Sequence, residues 1–198
     1  MGPRAAAERA AGVTADLSYE FAFGTYQDAL RMVGTRTEPR FAGTAVSGAR
    51  IQHFASMVRD PNPSYWDPEF ARSAWGGVVA PPALLIGLLM PPPWVPDGRP
   101  PTASIAVRVP LPGTAIINAS NDAEFLTPVL EGDMLSLVEE VASVSPEKTT
   151  RLGAGHFIET LDTFTRQDGA VVATNRNTLF RFSPAATMQN EAMRKSGA

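Results

Sequence analysis

Gly76-Gly77-Val78-Val79-Ala80-Pro81-Pro82-Ala83-Leu84-Leu85-Ile86-Gly87-Leu88-Leu89-Met90, halted by Pro91-Pro92-Pro93, is the stretch whose reading decides the fold. Proline costs little in a first helical turn, because those N–H groups have no intrahelical acceptor, so Pro81-Pro82 open a helix and the later prolines stop it. Between them Leu84, Leu85, Leu88 and Leu89 leave almost no polar side. A surface helix carries one apolar stripe, whereas a helix that is apolar all round is wrapped on all sides. A curved sheet is the simplest wrapping. The run falls well short of the roughly 18–20 apolar residues that cross a bilayer, so no membrane segment is read here.

Downstream, turn signals at Glu131-Gly132-Asp133, Ser145-Pro146-Glu147 and Gln167-Asp168-Gly169 mark off strands. The last turn joins a hairpin. Its second arm, Val171 to Phe182, is rich in β-formers, while the first, Gly155 to Arg166, alternates less cleanly but carries Phe157, Ile158, Leu161 and Phe164. Upstream, helical spacing predicts one helix over 25–33, with Tyr26, Ala29, Leu30 and Val33 on a face, and another over 47–58, with Ile51, Phe54, Ala55 and Val58. From Pro91 to the next clear strand, near Ala119, about thirty residues run without a pattern, long for a loop in a compact domain. Early helices, late strands and one apolar helix ahead of a meander give an α+β domain, an antiparallel sheet curled around a short central helix. We expect a mobile arm at 1–17, the domain at 18–184 and a flexible tail at 185–198.

Composition narrows the classes. The chain has 198 residues, 44% apolar and 19% charged, enough for one globular domain with a proper core. With no cysteine and two histidines, neither a disulfide framework, a thiolate nucleophile nor a Cys/His metal site is expected. A net charge of −3 does not suggest a nucleic-acid binder. The N-terminus has early arginines but also Glu8 and no apolar h-region, so no secretory signal is read and a cytoplasmic location is expected.

Ahead of the apolar run stands Asp60-Pro61-Asn62-Pro63-Ser64-Tyr65. Asp, Asn and Pro are common turn residues, and such a stretch marks a loop before it marks chemistry. The segments Phe54 to Pro63, Tyr65-Trp66-Asp67, Gly76 to Pro82, Glu124-Phe125 with Pro128, Gly132-Asp133, Gln167-Asp168-Gly169 and Arg176-Asn177-Thr178 together change that reading. In this order and spacing the chain resembles the N-terminal half of MaoC-like, fatty-acid-synthase-type dehydratases, from about Tyr19 to Pro184. Lys148 to Ile158 resembles, more narrowly, the larger MaoC subunit of heteromeric enoyl-CoA hydratases of steroid side-chain degradation. The resemblance implies a hot-dog fold and acyl-thioester chemistry.

Catalytic members read Asp-x-Asn-Pro-x-His, and the carboxylate and imidazole share the movement of water across a double bond. Here the sixth position is Tyr65, a phenol whose ordinary pKa of about 10 makes it a poor base near neutrality. The Ile-Ala-His-Gly of catalytic relatives, where a backbone N–H binds the thioester oxygen, is Val79-Ala80-Pro81-Pro82, with Pro82 at the glycine position and no N–H to give. One such donor is typically worth about 2.7–4 kcal/mol in the transition state. We therefore expect no catalytic residues in this chain; Asp60, Asn62, Tyr65 and Pro82 mark a degenerate motif. Asp60 is preferred as a turn residue, and His53 and His156 as structural histidines.

The resemblance implies a division of labour. The degenerate half accommodates the acyl chain, and a smaller hot-dog subunit carrying the Asp/His pair and the oxyanion N–H performs the hydration, in a heterotetramer. The chain stops after one hot dog, which also suggests a second chain. The substrate is an enoyl-coenzyme A thioester, with no metal or redox cofactor, and a shortened central helix leaves room for a steroid-sized acyl group. Leu85, Leu88, Leu89, Trp94 and Ile105 are the candidate lining, though core packing explains them equally well. Arg151, Arg166, Arg176 and Arg181 are candidates for phosphate contacts. Two alternatives stay open: a homodimeric hydratase or thioesterase using Asp60 and Tyr65, and a non-enzymatic acyl-CoA-binding subunit.

Overall fold

The computed structural model describes residues 21–90 and 104–185. The expected arm (1–17), all but the first residue of the expected tail (185–198) and Trp94 lie outside them.

The upstream helices form where local chemistry starts and stops them. Helix α1 (Tyr26–Leu30) has Thr25 as N-cap in a capping box with Asp28. It is shorter than the spacing predicted: turns follow to Gly34, and Met32 packs inward where Leu30 and Val33 stay partly exposed. Helix α2 (Gly48–Val58) begins at Ser47, whose side chain accepts from the Arg50 N–H, and ends because Arg59 takes φ 55°. Ile51 and Ala55 are fully buried on it, Phe54 packs partly buried against the core, and Val58 is left exposed by the termination.

The motif segment, read as a turn, opens one further helix, and a second follows directly after it. Asn62 caps α3 (Pro63–Trp66) and Asp67 caps α4 (Pro68–Trp75), each with proline in its first turn, and Gly76 closes α4 at φ 87°. The central helix is a 3-10 turn (Pro82–Leu84) running into α5 (Leu85–Leu88). It is not wrapped on all sides: Leu84, Leu85, Leu88 and Leu89 are buried, but Ile86 is 47% exposed. Arg40 donates to the Leu89 carbonyl (3.1 Å) and Arg50 to the Gly87 carbonyl (2.7 Å). The carbonyls that a helix end leaves orphaned are thus satisfied where this helix stops.

The sheet contains β1 (Arg40–Phe41), β2 (Ala115–Phe125), β3 (Leu135–Val144), β4 (Lys148–Thr150), β5 (Gly153–Arg166) and β6 (Val171–Pro184). The order is β1-β3-β5-β6-β2, all pairs antiparallel, with β4 on β5. Hairpin β5–β6 turns at Gln167-Asp168-Gly169, where Gly169 takes φ 85° and Arg166 binds the Asp168 carboxylate (2.6 Å). One core cluster joins α5 and Ile51 to Leu135, Leu137, Phe164, Val172 and Ala173; a second joins Ala29 to Val141, Val144 and Ile158. Removing the side chain of Phe164, which is 2% exposed, is expected to cost about 3–5 kcal/mol.

The segment before β2 is not an unpatterned loop throughout. Ser104 caps a 3-10 turn (Ile105–Arg108), and Ile105, Ala106, Val107, Val109 and Leu111 are buried. The strand starts at Ala115, earlier than expected. Arg181 is fully buried, donating to the carbonyls of Gly113, Ala22 (3.3 Å) and Leu111 (3.4 Å) with its guanidinium 3.7 Å from the Phe21 ring centroid. Burial lowers its pKa to about 10. It anchors the start of the domain and is no surface phosphate contact.

Candidate functional site

The motif segment divides at Asp60. Its carboxylate accepts the Asn62 N–H (3.0 Å), and its carbonyl accepts from the Trp66 indole (2.8 Å). Asp60 lines a shallow outer groove with Ser56, Arg59, Pro61, Trp66 and Asp67. Asn62, Ser64 and Tyr65 instead face a cavity of about 260 Å³ on the other side of α3. Its walls are Pro81, Pro82 and Leu85 of the central helix, Trp75 at the end of α4, the Phe125–Val129 segment, and Val172 of β6.

Tyr65 is 7% exposed. Burial, and then the negative charge of Asp60, push its phenol above the ordinary range, against a smaller opposing effect of a hydrogen bond with Asn62. It is therefore ionised even less near neutrality than free tyrosine and so less available as a general base, though its O–H remains a donor. Asn62 is committed to capping α3, its carbonyl oxygen 3.0 Å from the Ser64 N–H. The Ser64 hydroxyl accepts from the Trp75 indole (3.0 Å).

The wall where thioester-activating N–H groups would be needed is made by Pro81 and Pro82, which have none. The next N–H along belongs to Ala83, which is not among the residues lining the cavity, and the one after it, that of Leu84, already donates to the Pro81 carbonyl (2.9 Å). No side chain on the described wall combines a near-neutral pKa with a free position facing the cavity. His53 is exposed on α2, and His156 lies inside β5, stacked on Tyr26 (5.2 Å) with Nδ1 2.9 Å from the Ser145 carbonyl; neither lines the cavity.

The candidate acyl-lining residues separate in space. Leu85 lines the cavity, while Leu88 and Leu89 are buried in the core behind it. Ile105 belongs to the second core cluster, with Ala29 and Ile158. Ser64, Trp75 and the Phe125–Val129 wall were not foreseen as lining. The Asp67-Pro68 pair, a capped helix start closed by Gly76, carried the signal for Trp75.

At about 260 Å³ the cavity falls below the roughly 300–1,000 Å³ usual for a pocket that encloses a ligand by itself. Beside it lies an open edge. Among the described residues β2 pairs only with β6, and Asn118 to Leu126 are exposed throughout, Phe125 at 48%. A long unpaired edge exposed on both faces is a template for another chain.

The fold and this site define a hot-dog domain of the MaoC-like hydratase and dehydratase class. The chain belongs to the FAS1-like, dehydratase domain region family, whose model matches residues 31–175. It is 35% identical over 173 residues to a probable enoyl-CoA hydratase alpha subunit of Thermomonospora curvata, covering 82% of this chain and 53% of that one. The chain thus spans about half the length of that curated relative. Among solved structures it resembles a chain of the ChsH1-ChsH2 complex from Mycobacterium tuberculosis, with TM-score 0.66 and 25% identity, covering 81% of this chain and 92% of that one. The fold is shared with the MaoC-like dehydratase from Rhodospirillum rubrum, with TM-score 0.53 and 24% identity over 77% of this chain and 94% of that one. Among the described residues no helix is long and apolar enough to cross a membrane.

Proposed function

We propose that this chain is the acyl-accommodating, non-catalytic hot-dog component of an enoyl-CoA hydratase assembly. A second, smaller hot-dog subunit supplies the Asp/His pair and the oxyanion N–H, in a heterotetramer. Water adds across the double bond of a trans-2-enoyl thioester. The reaction is redox-neutral and calls for no redox cofactor; the reading takes coenzyme A as part of the substrate and includes no metal. A bulky, steroid-sized acyl group and the cytoplasmic location expected from the sequence belong to the same proposal.

The observation that carries it is the composition of one cavity wall: Tyr65, with its phenol pKa raised, stands beside Pro81 and Pro82, which offer no N–H. Base and oxyanion donor are lost together, while the cavity and its apolar lining are kept. Support comes from the alpha-subunit relative and from the heteromeric ChsH1-ChsH2 neighbour. Asp60 faces the outer groove rather than this cavity, which disfavours an Asp60/Tyr65 pair working on one substrate.

The test is substitution within the assembled hydratase. Asp60→Ala and Tyr65→Phe should each leave kcat within about threefold, since neither removes a general acid or base, which is worth about 10²–10⁴. A loss of about a hundredfold or more in a folded complex would overturn the assignment.

A further inference from the structure

The concave face of the sheet changes character one row beyond the cavity. Register aligns the inward positions of β3, β5, β6 and β2 as Leu137, Phe164, Ala173 and Phe125, an apolar row whose last member lines the cavity. The next row reads Glu139, Asp162, Asn175 and Ala123, and the one after it Val141, Thr160, Asn177 and Asn121. A polar band therefore separates the two apolar core clusters and ends at Asn121 on the exposed strand. Successive inward rows on a strand lie about 6.6 Å apart, so the band is one side chain away from the cavity wall at Phe125.

Its hydrogen bonding is incomplete. Asp162 accepts from the Thr160 hydroxyl (3.1 Å) and from the Asn175 amide (3.0 Å), which also donates to Asn121 (3.3 Å). Glu139 has hydrogen bonds with the Ser104 side chain and the Ile105 backbone. The side-chain carbonyl oxygens of Asn175, which is 2% exposed, and of Asn177 are both buried and have no partner among the described residues. Buried acceptors are almost always satisfied, and two orphans two residues apart on one strand face call for a donor. Both are carbonyl oxygens, so the missing group is a hydrogen-bond donor, and the simplest donor on an acyl group is a hydroxyl. Ala123, the smallest side chain of the inner row, is paired with Asn175 and is exposed.

We propose that this band is a specificity subsite for a hydroxyl group carried on the far part of the acyl moiety, donated to the Asn175 and Asn177 carbonyl oxygens. The proposal rests on the acyl-thioester reading above and deepens it: the substrate is a hydroxylated, bulky acyl-coenzyme A. A site built to hydrogen-bond a hydroxyl rejects the analogue lacking it, whereas an apolar pocket discriminates weakly.

The experiment is calorimetric binding of two thioesters with one ring skeleton, lithocholoyl-coenzyme A, with a hydroxyl opposite the thioester end, and 5β-cholanoyl-coenzyme A, without it. The full chain in its assembled complex is used. Wild type should bind the hydroxylated thioester at least about tenfold more tightly. Among the described residues Asn177→Ala removes one acceptor while breaking no side-chain hydrogen bond, so it should fold normally, lose most of that preference and leave cholanoyl binding unchanged. Asn175→Ala should do the same, but it also breaks the bond to Asp162, so Asn177→Ala is the decisive variant. Equal affinity for the two thioesters, or a preference untouched by Asn177→Ala, would overturn the subsite while leaving the thioester reading intact. Binding of neither would overturn both.

Discussion

Arg40 on β1 donates to the carbonyl of Leu89 across 3.1 Å, fastening the end of the central helix to the edge of the sheet. With Arg50 bound to Gly87 at 2.7 Å, the helix stops where two cations meet its exposed carbonyls. Its shortness is built into the fold.

Removing either cap should therefore destabilise the domain. Arg40→Ala and Arg50→Ala are each expected to cost about 1.5–3 kcal/mol, the usual value of a charged hydrogen bond. Denaturant midpoints at unchanged slope would show it, and shifts below about 0.5 kcal/mol would mean that water caps the helix equally well.

The cavity should set acyl size. Leu85→Phe places extra volume where the central helix meets the pocket. In the assembled hydratase we expect KM for large enoyl thioesters to rise about tenfold, with kcat and short-chain KM little changed, because only binding of the bulky portion is lost. Overpacking costs about 1–3 kcal/mol, so a thermal melt accompanies the kinetics. An equal effect on short and long substrates would place the acyl group elsewhere.

The open edge should be the docking edge. Ile117, 40% exposed on β2, replaced by lysine introduces a device that natural edge strands use against pairing. Association with the second subunit, followed by analytical ultracentrifugation, should weaken about tenfold or more, while the isolated chain changes by no more than about 0.5 kcal/mol. Unchanged association would move the interface to another face.

Acidity should leave a mark on stability. Burial, above all else, raises the carboxyl pKa of Glu139 and Asp162. Both hold protons more tightly folded than unfolded, so their contribution is complete below the ordinary carboxylate pKa and is lost as pH rises through the raised values. Asp168, lowered to about 2 chiefly by Arg166, acts oppositely and loses its contribution as pH falls toward that value. In melts across pH, Glu139→Gln/Asp162→Asn should flatten the decline of Tm on the rising side and leave the strongly acidic side unchanged. A profile identical to wild type would mean that the two acids titrate normally.

How much of this was legible in the sequence follows from what the residues do. The β5–β6 hairpin was readable from its Gln167-Asp168-Gly169 turn and the β-formers of Val171 to Phe182, and α2 because Ile51 and Ala55 repeat at the helical period. Helix α4 was missed because Asp67 and Gly76 were read only as parts of motif segments and not as the two ends of a helix. The 104–111 segment hid because a single 3-10 turn gives no period, although Ser104 caps it. The weak alternation of β5 has a specific cause: Thr160 and Asp162 point inward, into the polar band. At the site, Tyr65 and Pro82 were legible as departures from a known pattern. That Asp60 faces a different groove from Tyr65 was not, since neighbours in a turn carry no facing signal.

The most direct test of the central claim is the rate of hydration of short-chain and steroid-like enoyl-coenzyme A thioesters by this chain alone and by its complex with the smaller hot-dog subunit. The account predicts no turnover from the isolated chain and turnover from the complex. Robust hydration by the isolated chain, with mass measurement showing no second subunit, would contradict it.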